Sequence, residues 1–183
     1  TSRIRLTSTV TVLSTSDPVK VFEDFTAVDL ISNGRAEVTA GRGAYTESFP
    51  LFGRELADYG ELFEESLDLL LALRSSERVT WRGSFRAPLI DAPVFPRPAQ
   101  RQLPVWVGVG GTPSSAVRAG RLGLPAYFAI LGNPPQFGPL SRLYREAGLE
   151  AGHSLDDLRV GVTSHFFCAP TSQAARDEFF PYY

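Results

Sequence analysis

The stretch PVWVGVGGTPSS, residues 104–115, carries the pattern that decides the fold. Its first half is rich in Val and contains Trp106, which predicts a buried β-strand. Glycines then interrupt the strand. Thr112 followed by Pro113 is typical of a helix start, since Thr caps a helix and Pro fits its first position. The pattern therefore predicts a strand, a Gly-rich turn and a helix that ends at Gly123.

Strand and helix patterns alternate on both sides of this stretch. Asp17 and Pro18 predict the start of one helix, and Asn33-Gly34 predicts its left-handed end. Residues 79–102 contain four of the 14 prolines, and we expect an ordered excursion there because Trp81 needs a packing partner. The other predicted elements are strands at 4–13, 35–40, 124–131 and 159–167, and helices that begin at Asp58, at Phe137 and near Thr171.

This repeated order of strand and helix predicts an α/β fold with a parallel sheet covered by helices. Two architectures fit the residues at this point: an open doubly wound sheet, and a (β/α)8 barrel that is incomplete. Both folds bind ligands in the loops that follow the strands. The functional residues are therefore expected in those loops.

The composition excludes several classes of protein. The 183 residues are 43% hydrophobic and 21% charged, which is typical of a globular domain. A net charge of -2 argues against nucleic-acid partners, and the single Cys168 excludes an internal disulfide and a Cys-rich zinc site. No run approaches ~18 apolar residues, so we expect no membrane association and a cytoplasmic location. The chain has no Met, so we expect a processed or excised piece of a longer product.

The Gly-rich turn at 107–115 is the strongest candidate for a binding site. Glycines let the backbone approach an anion, a helix N-terminus supplies N–H groups, and Thr112, Ser114 and Ser115 add hydroxyl groups. The segment lacks both the Gly-x-Gly-x-x-Gly pattern and a P-loop Lys, which favours a phosphomonoester over a pyrophosphate. A plain Gly-rich turn with a helix cap has the same local sequence.

Arg42 lies between Gly41 and Gly43 at the end of the second predicted strand. A guanidinium there can donate two hydrogen bonds to a phosphate, although a surface Arg in a tight turn has the same signature. The alternation of strand and helix places Arg42 and the Gly-rich turn at the same edge of the sheet. Together they predict a phosphate site.

Two further features are weaker. Residues 8–11 are small and leave room for a flat ring, but they also fit an ordinary Thr-rich strand. His165 lies late in a predicted strand, where it is either a catalytic residue in the pocket or a hydrogen-bonded structural residue. No Ser-His-Asp order and no metal-ligand spacing is present, so no metal site is predicted.

Taken in order, these motifs resemble the bacterial luciferase-like family of flavin-dependent monooxygenases and oxidoreductases. The matching segments cover nearly the whole chain: 9–13, 17–19, 29–35, 41–45, 49–53, 104–107 and 120–125. The family fold is a (β/α)8 TIM barrel. The resemblance therefore implies that residues 1–183 form a single partial barrel domain. It would hold about strands three to seven, with the N-terminal and C-terminal strands missing, either as a fragment or as a naturally shortened fold.

The resemblance also implies roles for individual residues. Arg42 and the 110–114 loop resemble the family's grip on the FMN phosphate, and Thr9-Val10 lies where the family often has a non-prolyl cis peptide beneath the flavin ring. Gly110-Gly111 replaces a Glu-Ser pair of luciferase, and Gly41 replaces a Cys, which is expected to make room for substrate. The implied cofactor-binding residues are Thr9, Val10, Gly41, Arg42, Gly110, Gly111, Thr112 and Ser114.

The function implied by the resemblance is that of an FMN-dependent oxidoreductase, specifically a monooxygenase. Reduced FMN, delivered by a separate flavin reductase, would react with O2 and oxidise a small organic substrate. Two alternatives are a reductase of the same family that uses a deazaflavin coenzyme, and a non-catalytic flavin-binding relative. The resemblance further implies a homodimer in the full-length form. The luciferase His needed for light emission belongs to a region that this chain lacks.

Overall fold

The structure is a computed structural model that describes residues 2–131 and 134–182. In chain order its elements are β1 Leu6–Thr7, β2 Thr11–Val12, α1 Pro18–Ser32, β3 Ala36–Gly41, α2 Ser48–Leu51, α3 Tyr59–Ser75, β4 Arg78–Trp81, β5 Leu89–Pro93, β6 Val105–Val109, α4 Pro113–Arg121, β7 Ala126–Ala129, α5 Phe137–Glu150, β8 Val160–Thr163 and α6 Ser172–Phe179. None of the helices in the described residues is long and apolar enough to span a bilayer.

The main sheet is parallel and follows the order β1-β3-β6-β7-β8, with β2 also paired to β3. Since β1 and β2 share one place beside β3, the segments occupy five strand positions. The sheet curls into part of a barrel with helices on its outside. The incomplete barrel is confirmed, and the open doubly wound alternative is wrong.

The ends of α1 form as the sequence predicts. The Asp17 carboxylate accepts a hydrogen bond from the Val19 N–H at 2.8 Å and caps the helix, with Pro18 in the first turn. Asn33 closes the helix in the left-handed conformation, with φ 57°. Both ends depend on contacts within a few residues, which explains why the sequence reveals them.

The first predicted strand, 4–13, is broken in two. The Thr39 N–H donates to the Ser8 hydroxyl at 3.3 Å, so a side chain replaces a strand carbonyl at this place in the ladder. The Thr9–Val10 peptide bond, which lies in the break, is cis, as the resemblance implies. Pairing resumes at β2, where Thr11 faces Ala40.

The Pro-rich excursion is ordered, as expected, but it contains an antiparallel hairpin of β4 and β5 that the sequence analysis missed. Trp81 is buried, and its indole N–H donates to Asp68 on α3 at 2.9 Å. The hairpin escaped prediction because β5 has no regular alternation of buried and exposed residues. Asp91 interrupts that alternation with φ 45°.

Helices α4 and α5 pack with backbone against backbone. A Cβ at Gly120 would lie 2.2 Å from the Tyr144 carbonyl oxygen and 2.9 Å from the Gly148 nitrogen. Burial raises the pKa of Tyr144 to about 12, so its hydroxyl stays protonated, and it donates to the Leu124 carbonyl at 3.0 Å. These contacts hold α5 against α4 and against the segment that leads into β7.

Replacement of Gly120 by Ala should destabilise the fold, since the new methyl group meets backbone atoms that cannot move aside. We expect a loss of about 1–3 kcal/mol in the free energy of unfolding, the usual cost of overpacking. Urea denaturation measures it. The control is Gly60→Ala on α3, where nothing lies within 4 Å of the added Cβ. Equal stability of the two variants would contradict the close contact.

Candidate functional site

Loops from two neighbouring strands meet at the carboxyl edge of the sheet. Arg42 follows β3 directly, and the Gly110–Thr112 loop follows β6. Strands β3 and β6 are parallel and paired, with Val38 opposite Val105. The two loops therefore lie side by side, as expected from the order of the elements.

Arg42 is held by two side chains from different helices. Its Nη2 donates to the Ser115 Oγ at 3.2 Å, and its guanidinium carbon lies 4.8 Å from the centre of the Tyr59 ring. Ser115, in the first turn of α4, is only 4% exposed. No carboxylate in the described ranges forms an ion pair with Arg42. The guanidinium is therefore oriented without a carboxylate that would neutralise it.

Helix α4 directs its positive end towards this arginine. The first turn contains no acidic residue, whereas Arg118 and Arg121 lie in the last turn. The backbone N–H groups of a first helical turn have no partners within the helix, and they carry partial positive charge. Two positive groups are thus adjacent without a compensating anion, an arrangement that suits a phosphate.

The Gly-rich loop leaves open space at this position. Apart from the adjacent residues in the chain, no described atom lies within 4 Å of a Cβ built at Gly110 or Gly111. Gly111 has φ 125°, which L-residues with side chains rarely adopt. Thr112 caps α4 without a side-chain hydrogen bond to another described residue, so its hydroxyl is available to a ligand.

Of the two serines in this turn, Ser115 rather than Ser114 contacts Arg42. Ser114 is exposed and lines a cavity of about 640 Å³ between α3 and α4. The sequence could not separate the two, because the choice depends on the rotation of α4 about its axis. The phosphate-binding role of Ser114 stays a prediction.

The expected room beside Gly41 does not exist. A Cβ built on Gly41 would lie 2.4 Å from the Val10 Cγ2, and one built on Gly108 would lie 2.8 Å from the Val10 Cγ1. The Val10 side chain therefore lies across both glycines. The expectation that Gly41 makes room for substrate is wrong, because Val10 fills that space.

The other predicted site residues are not joined to Arg42 by a described contact. Thr9 is exposed and lies in the break between β1 and β2. His165 is exposed, two residues past β8, and two strands, β6 and β7, separate β8 from β3. Both roles remain predictions.

Tyr59 was missed by the sequence analysis. It is the first residue of α3, and 16 residues separate it from Arg42 along a path with little regular structure. No local sequence signal places its ring against the guanidinium. Across the described part of the chain, no group of three or more His, Cys, Asp or Glu residues is placed to hold a metal ion.

Comparison with protein families gives a match to one model, described as luciferase-like monooxygenase, over residues 1–183. Among curated relatives, an F420-dependent glucose-6-phosphate dehydrogenase from Amycolatopsis mediterranei (strain U-32) is 33% identical over 127 residues, covering 67% of this chain and 37% of the relative. An alkanal monooxygenase alpha chain from the Kryptophanaron alfredi symbiont is 28% identical, covering 86% of this chain and 44% of the relative.

A solved structure of similar fold is the monooxygenase RslO1 from Streptomyces bottropensis. It aligns with a TM-score of 0.84 and 27% identity, covering 97% of this chain and 54% of that protein. The chain thus spans about half the length of this structure and less than half of the two curated relatives.

Replacement of Ser115 by Ala should weaken anion binding, because it removes the buried hydroxyl that orients Arg42. We expect inorganic phosphate to bind about 3- to 10-fold more weakly, in the range for the loss of one ordinary hydrogen bond. An NMR titration with phosphate measures the change. The matched control is Ser75→Ala, an exposed serine at the end of α3. Unchanged phosphate affinity in the Ser115 variant would contradict the assignment.

Proposed function

Because this chain belongs to the luciferase-like monooxygenase family, we propose that it is part of a flavin-dependent oxidoreductase that binds FMN through its phosphate. The family has flavin-dependent members and members that use the deazaflavin F420. The proposed activity is that of a monooxygenase acting with O2 on a small organic substrate.

The observation that carries this proposal is the oriented and uncompensated charge of Arg42 beside the first turn of α4. A phosphomonoester dianion supplies two negative charges in one compact group. Its oxygens accept hydrogen bonds from a guanidinium and from backbone N–H groups at the same time. The donor set at this edge of the sheet therefore fits the phosphate end of FMN.

The remaining residues have supporting roles in the proposal. When bound, the flavin supplies the redox chemistry, and the protein binds and orients it. Arg42 and the Gly110–Thr112 loop hold the phosphate, while Val10, lying across Gly41 and Gly108, presents an apolar surface on which a ring can rest. The protein thereby keeps the reactive ring at a fixed distance from the residues that bind the phosphate.

A second candidate is a reductase that uses F420. It is favoured by the 33% identity to a relative named as an F420-dependent glucose-6-phosphate dehydrogenase. The phosphate of F420 is a diester with a single negative charge. A site that binds FMN more tightly than F420 would favour the first candidate, and the reverse order would favour the second.

The proposal extends to the whole protein of which these residues form part. We include a separate flavin reductase as the source of reduced FMN, a homodimeric full-length enzyme and a cytoplasmic location. Residues 1–183 are taken as one partial barrel domain.

Replacement of Arg42 by Ala tests the proposed function. We expect FMN binding to weaken by ~1.5–3 kcal/mol, the range for hydrogen bonds to a charged group, which is roughly 10- to 150-fold in affinity. Absorbance and fluorescence titrations measure it, with FMN, riboflavin and F420 compared on the same protein.

Riboflavin affinity should be low in the parent chain and the same in the variant, because riboflavin has no phosphate. The control variant is Arg142→Ala, which removes an exposed arginine from α5. FMN affinity that survives the loss of Arg42 would remove this residue from the site and overturn the phosphate assignment.

A further inference from the structure

Tyr59 contacts the Arg42 loop at two points. Its ring lies 4.8 Å from the guanidinium carbon of Arg42, and its hydroxyl donates to the Gly43 carbonyl at 2.9 Å. The Phe49 ring packs against the Tyr59 ring at a centroid distance of 5.5 Å. One side chain thus engages both the charged end of Arg42 and the backbone that follows it.

We propose that Tyr59 is a positioning residue that holds the Arg42 guanidinium ready for a phosphate without neutralising it. The inference rests on the proposed function, since it assigns a role within the same phosphate site. The ligand group that this arrangement favours is a phosphomonoester.

The chemistry of the partner supports this role. A carboxylate beside Arg42 would hold the guanidinium but would also cancel its charge and compete with phosphate. An aromatic face attracts the cation through its quadrupole and leaves the N–H groups at the guanidinium edge free to donate. Ser115 accepts one of those hydrogen bonds, which leaves four of the five N–H groups of the guanidinium for other acceptors.

The location of Tyr59 separates this role from simple core packing. Tyr59 is partly exposed at the start of α3, whereas the core face of that helix is formed by residues such as Leu62 and Phe63, which are 2% and 1% exposed. Loss of the Tyr59 ring should therefore affect the Arg42 loop more than the fold.

The test compares Tyr59→Leu with Tyr59→Phe. The Leu variant removes the ring, and the Phe variant keeps it while removing the hydroxyl. Tyr182→Leu is the control, since Tyr182 is 90% exposed near the end of the chain. Each protein is titrated with FMN, with riboflavin and with inorganic phosphate, and its thermal unfolding is recorded.

We expect Tyr59→Leu to bind FMN and phosphate about 3- to 10-fold more weakly, in the range of a partly buried cation–π contact, with riboflavin affinity unchanged. Tyr59→Phe should keep FMN affinity within about twofold, because the ring still faces the guanidinium. A structural effect would instead lower FMN and riboflavin affinity together and lower the unfolding temperature.

Failure of the inference and failure of the proposed function give different results. Full FMN and phosphate affinity in Tyr59→Leu, or equal losses for FMN and riboflavin, would overturn the role of Tyr59. If the parent chain binds phosphate but neither FMN nor F420, the proposed function fails, and the phosphate titrations still decide the role of Tyr59. A parent chain that binds none of these probes would overturn both.

Discussion

The contact of α4 with α5 at Gly120 determines where the candidate site can form. At this point the backbone of one helix approaches the carbonyl of Tyr144 on the other so closely that no side chain fits between them. The contact fixes the separation and rotation of α4 relative to α5. The first turn of α4 is then placed at the carboxyl end of β6, where Ser115 meets Arg42. Gly120, five residues after Ser115, thus helps to place the serine that contacts Arg42.

The electrostatics of the site follow from that placement. Parallel pairing of β3 and β6 brings an arginine and a helix N-terminus to the same edge of the sheet. Both are positive; among the described residues no carboxylate forms an ion pair with Arg42, and the first turn of α4 contains no acidic residue. The Tyr59 ring and the Ser115 hydroxyl orient Arg42 in spite of this repulsion, and neither group neutralises its charge. The site is therefore preorganised for an anion.

Much of the fold was predictable because its signals are local. Asp17 and Asn33 mark the ends of α1 through contacts within a few residues, and the Gly-rich turn identifies the start of α4. Arg42 was identified for the same reason, since glycines flank it at a strand end. The residues that contact Arg42 were harder to predict from the sequence, because Tyr59 and Ser115 lie 17 and 73 residues further along the chain. Such contacts depend on how helices pack, which no short pattern encodes.

The position of Val10 across Gly41 and Gly108 has a consequence for how related sequences can differ. The Val10 side chain fills the space that side chains at positions 41 and 108 would occupy. A lineage that gains a side chain at position 41 or 108 has to lose volume at position 10 at nearly the same time. A protein that kept Val10 and also had an added side chain at position 41 or 108 would be overpacked. Residues at positions 10, 41 and 108 should therefore covary across the family, although nearly a hundred residues separate the first from the last.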